Sequence, residues 1–162
     1  MNNTIFFPAS ASVAKKINSL HRLLLKEKSL FEEAANTVSD NALRRTLLSV
    51  AQQNNQYATE LSAHIQTTRT ATVAKKRKSG THAAPSIVKN SIEAGNTVLG
   101  VCNSNERKIV TAYKKLLREQ TLYDGLQQMM HYQLDGIVFA CQQLKLLRSL
   151  SRSRRGGHTI AH

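Results

Sequence analysis

Between Thr121 and Leu150 the chain sets Leu126, Met130, Gln133, Ile137, Ala140, Leu144 and Leu147 at steps of four and three. That spacing lines one face of an α-helix. Only Gln133 in the stripe is strongly polar. A single amphipathic helix cannot bury such a face, so the rest of the chain must supply partners. Three further stripes do so. Leu20, Leu24, Glu27, Phe31, Ala34 and Val38 predict a helix over about residues 13–38, entered from Ser12 as its N-cap. Leu43, Leu47, Val50, Asn54, Tyr57 and Leu61 predict a second over about 42–67, entered from the turn residues Ser39, Asp40 and Asn41. Val98, Cys102, Asn105, Ile109, Ala112 and Leu116 predict a third over about 97–117. Ahead of it, residues 86–94 suit a short helix stopped by Gly95, with Asn96 capping the longer one.

The connections set the topology. Short links around 39–41 and 118–120 make helices one and two, and helices three and four, antiparallel neighbours. Residues 68–95 have no apolar period at their start and are long enough to travel the length of a bundle some 30 to 40 Å tall. The expected fold is therefore all-α: a four-helix bundle over 12–150 made of two antiparallel hairpins joined by a long crossover. Residues 1–11 form an irregular lead-in and 151–162 a basic flexible tail. Each stripe carries one polar interruption near mid-helix, at Glu27, Asn54, Asn105 and Gln133. Stacked at similar height, the four would make one polar layer inside an apolar core.

Charge alters the picture more than composition does. Twenty-three basic residues against ten acidic ones give +13 over 162 residues, which favours anionic partners without bearing on the fold. Much of the excess lies in Lys75, Lys76, Arg77 and Lys78 and in Arg148, Arg152, Arg154 and Arg155. As mobile arms, Lys75 to Lys78 and Arg152, Arg154 and Arg155 could hold nucleic acid or another polyanion through phosphates, without base readout. No apolar run approaches the roughly 20 residues that span a bilayer, so no membrane insertion is expected. The opening residues lack the basic and apolar regions of a secretory signal, and a cytoplasmic protein is expected. Cys102 and Cys141 fall on apolar helix faces and read as packed thiols.

The stretches INSLHRLLLKEKSLFEEAANTV, LRRTLLSVAQQNNQYATELSAHI and GNTVLGVCNSNERKIVTAYKKLL, with the helix from Leu122, resemble a bacterial family of ferritin-like bundles known as domain of unknown function 2383. The resemblance covers about residues 17–150. It implies a ferritin-like four-helix bundle with a crossover, self-association into a homo-oligomer and a stress-associated or metal-handling setting. The chemistry of the wider superfamily needs a carboxylate from each of two helices and a Glu-x-x-His pair from each of the other two, holding two iron or manganese ions. Glu27 and Glu106 match the lone carboxylates. Helix two offers Gln53 or Asn54 and then Tyr57, and helix four keeps His131 but has Gln128 in place of the carboxylate.

Two carboxylates and one histidine fall short of a dimetal centre, so no cofactor is expected, with a reduced iron or manganese site on Glu27, Glu106 and His131 as the alternative. Glu27 reads first as a hydrogen-bonded register device. His131 and Asp135 suit a surface charge pair, and Glu60 with His64 the end of a solvated face. Phosphate-cradling glycine loops, paired-cysteine motifs and nucleophile elbows do not occur. The expected role is a non-catalytic structural or stress-associated interaction protein, with degenerate metal binding and nonspecific nucleic-acid binding as the alternatives.

Overall fold

The computed structural model describes residues 10–69 and 93–156. They form α1 (Ala11–Thr37), α2 (Asn41–Arg69), α3 (Glu93–Leu117) and α4 (Asp124–Gly156), with no strand among the described residues. The fold is an all-α four-helix bundle. No helix among these residues is long and apolar enough to cross a membrane.

Three boundaries differ from the sequence reading. Ser10, not Ser12, caps α1, its hydroxyl accepting a hydrogen bond from the Val13 amide at 3.3 Å. Val13 is fully buried on the face continued by Ile17 and Leu20, so the helix must already be formed at that point. The helix α3 runs unbroken through Gly95 and Asn96, because one glycine costs a helix only about 1 kcal/mol relative to alanine. The segment read as a tail from residue 151 continues α4 as far as Gly156, since serine and arginine are tolerated in a helix. The cap of α2 lies where the turn residues put it. Asp40 Oδ1 accepts from the Ala42 and Leu43 amides at 2.8 and 3.0 Å.

Cross-helix pairs fix the directions. Lys16 pairs with Glu119 and Glu27 with Asn105, so α1 and α3 are antiparallel. Gln133 meets Glu60 and Tyr123 meets His64, so α2 and α4 are antiparallel as well. The helix α1 packs against α2 and α3, and α4 against the same two. Helices α2 and α3 thus stand at opposite corners and point the same way. Residues 70–92, on which the expected crossover and most of the expected short helix fall, lie outside the described residues.

The core is divided. One apolar cluster gathers Ile17, Leu20, Leu24, Tyr57, Leu61, Ile109, Tyr113, Leu116, Leu126, Met130 and Ile137. The other gathers Phe31, Ala34, Leu43, Leu47, Val50, Ala51, Cys102, Ala140 and Leu144. In sequence, Glu27, Asn54 and Asn105 each fall between the two sets.

Candidate functional site

Glu27, Asn54, Asn105 and Gln133 are the buried polar or charged residues among those described. Each is flanked at helical spacing by apolar residues of its own stripe, Leu24 and Phe31 for Glu27, Val50 and Tyr57 for Asn54, Cys102 and Ile109 for Asn105, Met130 and Ile137 for Gln133, so helix periodicity alone carries it inside. They do not form one layer. Glu27, Asn54 and Asn105 mark the boundary between the two apolar clusters, and Asn105 Nδ2 donates to Glu27 Oε2. Gln133 belongs instead to the first cluster, where Tyr113 donates to its Oε1 at 2.8 Å and its Nε2 donates to Glu60 Oε2 at 2.7 Å. Tyr113 lies eight positions after Asn105 on α3, about 12 Å along the axis. Antiparallel packing sets Gln133 opposite Tyr113, not opposite Asn105. The expectation of a single layer assumed equal heights, and the helix offsets separate the groups into two inserts.

The Gln133 insert is fully used. Both ends of its amide are bonded, and Glu60 also accepts from Gln56 Nε2 at 2.9 Å, leading the network to the surface. Burial pushes the Tyr113 hydroxyl well above its ordinary range, so it stays a donor. Nearby, Gln53 Nε2 and the Tyr57 hydroxyl lie 2.7 Å apart. They occupy the space into which a side chain at Gly136 would project, so a glycine there lets α2 and α4 approach.

The Glu27 insert is not. Glu27 is 2% exposed, and its Oε1 has no hydrogen-bond partner. Burial pushes its carboxyl up to about 7, opposed by the Asn105 hydrogen bond and assisted by the charge of Glu106. Glu106 in turn pairs with Lys145 at 3.3 Å. Cys102, Cys141, Glu106 and Lys145 line a cavity of about 30 Å³, room for about one water. Both thiols are free and buried. Burial first, and then the neighbouring carboxylates, push Cys102 up to about 12 and Cys141 higher still, so both remain protonated and unreactive.

The other sequence candidates are dispersed. His131 is exposed and precedes Cys141, the α4 neighbour of Glu106, by ten residues, or about 15 Å along the axis. The structure therefore does not bring His131 to Glu27 and Glu106. Asp135 is exposed too. His64 leaves Glu60 and meets the Tyr123 hydroxyl, with burial holding its imidazole below the usual range. Helix α2 supplies no Glu-x-x-His pair, and among the described residues no three of His, Cys, Asp and Glu gather so as to hold a metal ion. The donor set does not fit a two-metal centre. Lys75, Lys76, Arg77 and Lys78, with the side chains of Arg152, Arg154 and Arg155, lie outside the described ones.

Two features escaped the sequence reading. Along the chain Glu60 shows only its i, i+4 neighbour His64, whereas its contact with Gln133 comes from another helix. The second is on the surface of α4, where Tyr132, Phe139, Leu146 and Leu150 are 68%, 61%, 62% and 51% exposed. Their spacing of seven, seven and four was legible as a second apolar stripe beside the buried one.

These features define a helical bundle with a polar-interrupted core. The family model described as Domain of unknown function (DUF2383) matches residues 12–119. The chain belongs to that family. The matched span covers α1 from its second residue, all of α2 and α3, and ends before α4. No protein of curated function matches the chain.

Proposed function

We infer that this protein is a non-catalytic, ferritin-like interaction bundle that associates with itself through the outer face of α4. The observation carrying this reading is the exposed stripe of Tyr132, Phe139, Leu146 and Leu150. It runs about 27 Å along the helix. Between Gly125 and Leu144 the only charged side chain is that of Asp135, so the part of this face from Tyr132 to Phe139 is free of positive charge, and Lys145 and Arg148 flank only its Leu146 and Leu150 end. With flanking side chains it offers roughly 500 Å² per subunit, and a symmetric pair covers about 1,000 Å², the lower end of specific interfaces. Free, buried thiols accord with a cytoplasmic setting.

The test is light scattering on the full chain at micromolar concentration, with Phe139→Ser and Leu146→Ser combined as the variant. A wild-type dimer or larger assembly that the variant reduces to monomer is the expected result. A wild-type monomer at every concentration would sink the reading.

A second reading is favoured by the orphan Oε1 of Glu27 beside Glu106: a degenerate site for one iron or manganese ion on those two carboxylates. Elemental analysis of tag-free protein from metal-supplemented cells tests it. Near-integral metal content, lost when Glu27→Gln and Glu106→Gln are combined, would support it, and metal-free folded protein would remove it.

A further inference from the structure

The helices α1 and α3 face each other with an unusual surface. From residue 14 to 26 the chain carries Lys15, Lys16, Arg22 and Lys26, and from 107 to 118 it carries Arg107, Lys108, Lys114, Lys115 and Arg118, with no acidic residue in either segment. All nine side chains are exposed. Because the two helices are antiparallel and adjacent, these segments lie side by side. Lys16, Ser19, Arg107, Lys108, Thr111 and Lys115 line an open groove of about 430 Å³ between them. Helical spacing extends the two banks: Lys16, Ser19, Arg22 and Lys26 on α1, and Arg107, Thr111 and Lys115 on α3, with Arg118 just beyond its end. Glu119 closes one end by pairing with Lys16, whereas Arg107, Lys108 and Lys115 form no ion pair with a described residue.

We propose that this groove binds the phosphodiester backbone of duplex nucleic acid without reading sequence. Like charges held close together on a folded surface repel one another, and a polyanion relieves that repulsion by displacing its own condensed counterions. The longer cationic row, from Lys16 to Lys26, extends about 15 Å, a length over which each strand of a B-form duplex carries about four phosphates. Every cation here is solvated and the groove is open. That suits an extended polyanion held by counterion release better than a small ligand held by desolvated, directional hydrogen bonds. No aromatic side chain lines the groove, so it has no platform on which single-stranded bases would stack. Ser19 and Thr111 add hydroxyl donors to phosphate oxygens. The proposal is independent of self-association through α4, which lies diagonally across the bundle from α1 and leaves the groove open in a pair.

The experiment measures fluorescence polarisation of a labelled random-sequence duplex against the full chain over a range of KCl concentrations. Three proteins are compared: wild type, a groove variant combining Arg107→Gln, Lys108→Gln and Lys115→Gln, and a variant of equal charge combining Lys75→Gln, Lys76→Gln and Arg77→Gln. The groove substitutions are at exposed positions, and circular dichroism and melting confirm that the bundle is intact. The expected result is that the groove variant binds at least about tenfold more weakly at moderate salt, with its log–log salt slope reduced by about 2.7, or about 0.9 for each phosphate left without its cation. The equal-charge variant should lose clearly less. Equal losses in the two variants would reduce the effect to net charge and overturn the proposal. So would a groove variant that binds like wild type, or wild-type protein that does not bind the duplex.

Discussion

The two polar inserts are built from similar parts and end in different states. Around Gln133, a neutral amide meets a hydroxyl and a carboxylate that reaches the surface, and both amide ends are bonded. Around Glu27, a carboxylate meets one amide across the bundle while its other oxygen is buried without a partner. An amide offers both a donor and an acceptor, so it can sit in a closed network without charge. A lone carboxylate can only accept while ionised, and burial drives it toward protonation. The first insert specifies which helices meet at which height. The second makes stability depend on pH.

The largest effect should come from breaking the satisfied insert. Gln133→Leu removes the acceptor for the buried Tyr113 hydroxyl and a donor to Glu60, and it should cost about 3 kcal/mol in denaturant unfolding with little change in the slope of the transition. A loss below about 1 kcal/mol would mean that Tyr113 and Glu60 find other partners.

Relieving the unsatisfied insert should act in the opposite direction. The folded-state value for Glu27 lies near 7 against an ordinary 4.5, so the folded protein holds this proton more tightly than the unfolded chain does. Stability contributed by this group therefore falls as pH rises from about 4.5 to about 7, and the full penalty, on the order of 3 kcal/mol, applies above that window. Glu27→Gln should stabilise the protein by about 2 to 3 kcal/mol near pH 8 and by little near pH 4. Parallel stability–pH curves for variant and wild type would show that Glu27 does not titrate in this range.

Smaller changes separate packing from hydrogen bonding at the Gln133 level. Gly136→Ala places a methyl group where the Tyr57 hydroxyl and Gln53 lie, and should lower stability by about 1 to 2 kcal/mol through the forced shift of α2 against α4. Tyr113→Phe keeps the ring and removes one hydrogen bond, and should cost about 1 kcal/mol, readable as a small drop in melting temperature. If Tyr113→Phe proved as costly as Gln133→Leu, the hydroxyl and not the amide would be the centre of the insert.

Much of the fold was legible along the chain. Steps of four and three through Leu20 to Val38, Leu43 to Leu61, Val98 to Leu116 and Leu126 to Leu147 placed four helices and selected the four polar residues that turn inward. Helix ends were less legible. Reading Ser12 as the cap and Gly95 as a stop rests on local preferences worth about 1 kcal/mol, which the packing of a whole helix outweighs.

The sequence by itself determined which side of each helix is apolar, because helical periodicity is a property of a single segment. It also determined the charge balance and the absence of a Glu-x-x-His pair on α2. Only the tertiary structure decided how far each helix slides along its neighbours. That offset separated Gln133 from Glu27 and Asn105, joined Glu60 to Gln133 and carried His131 away from Glu106. It also brought the basic faces of α1 and α3 together, since residues 15–26 and 107–118 become neighbours only through the packing of the bundle. Axial offset depends on how side chains from two helices interdigitate, a property of pairs of segments that neither segment contains alone.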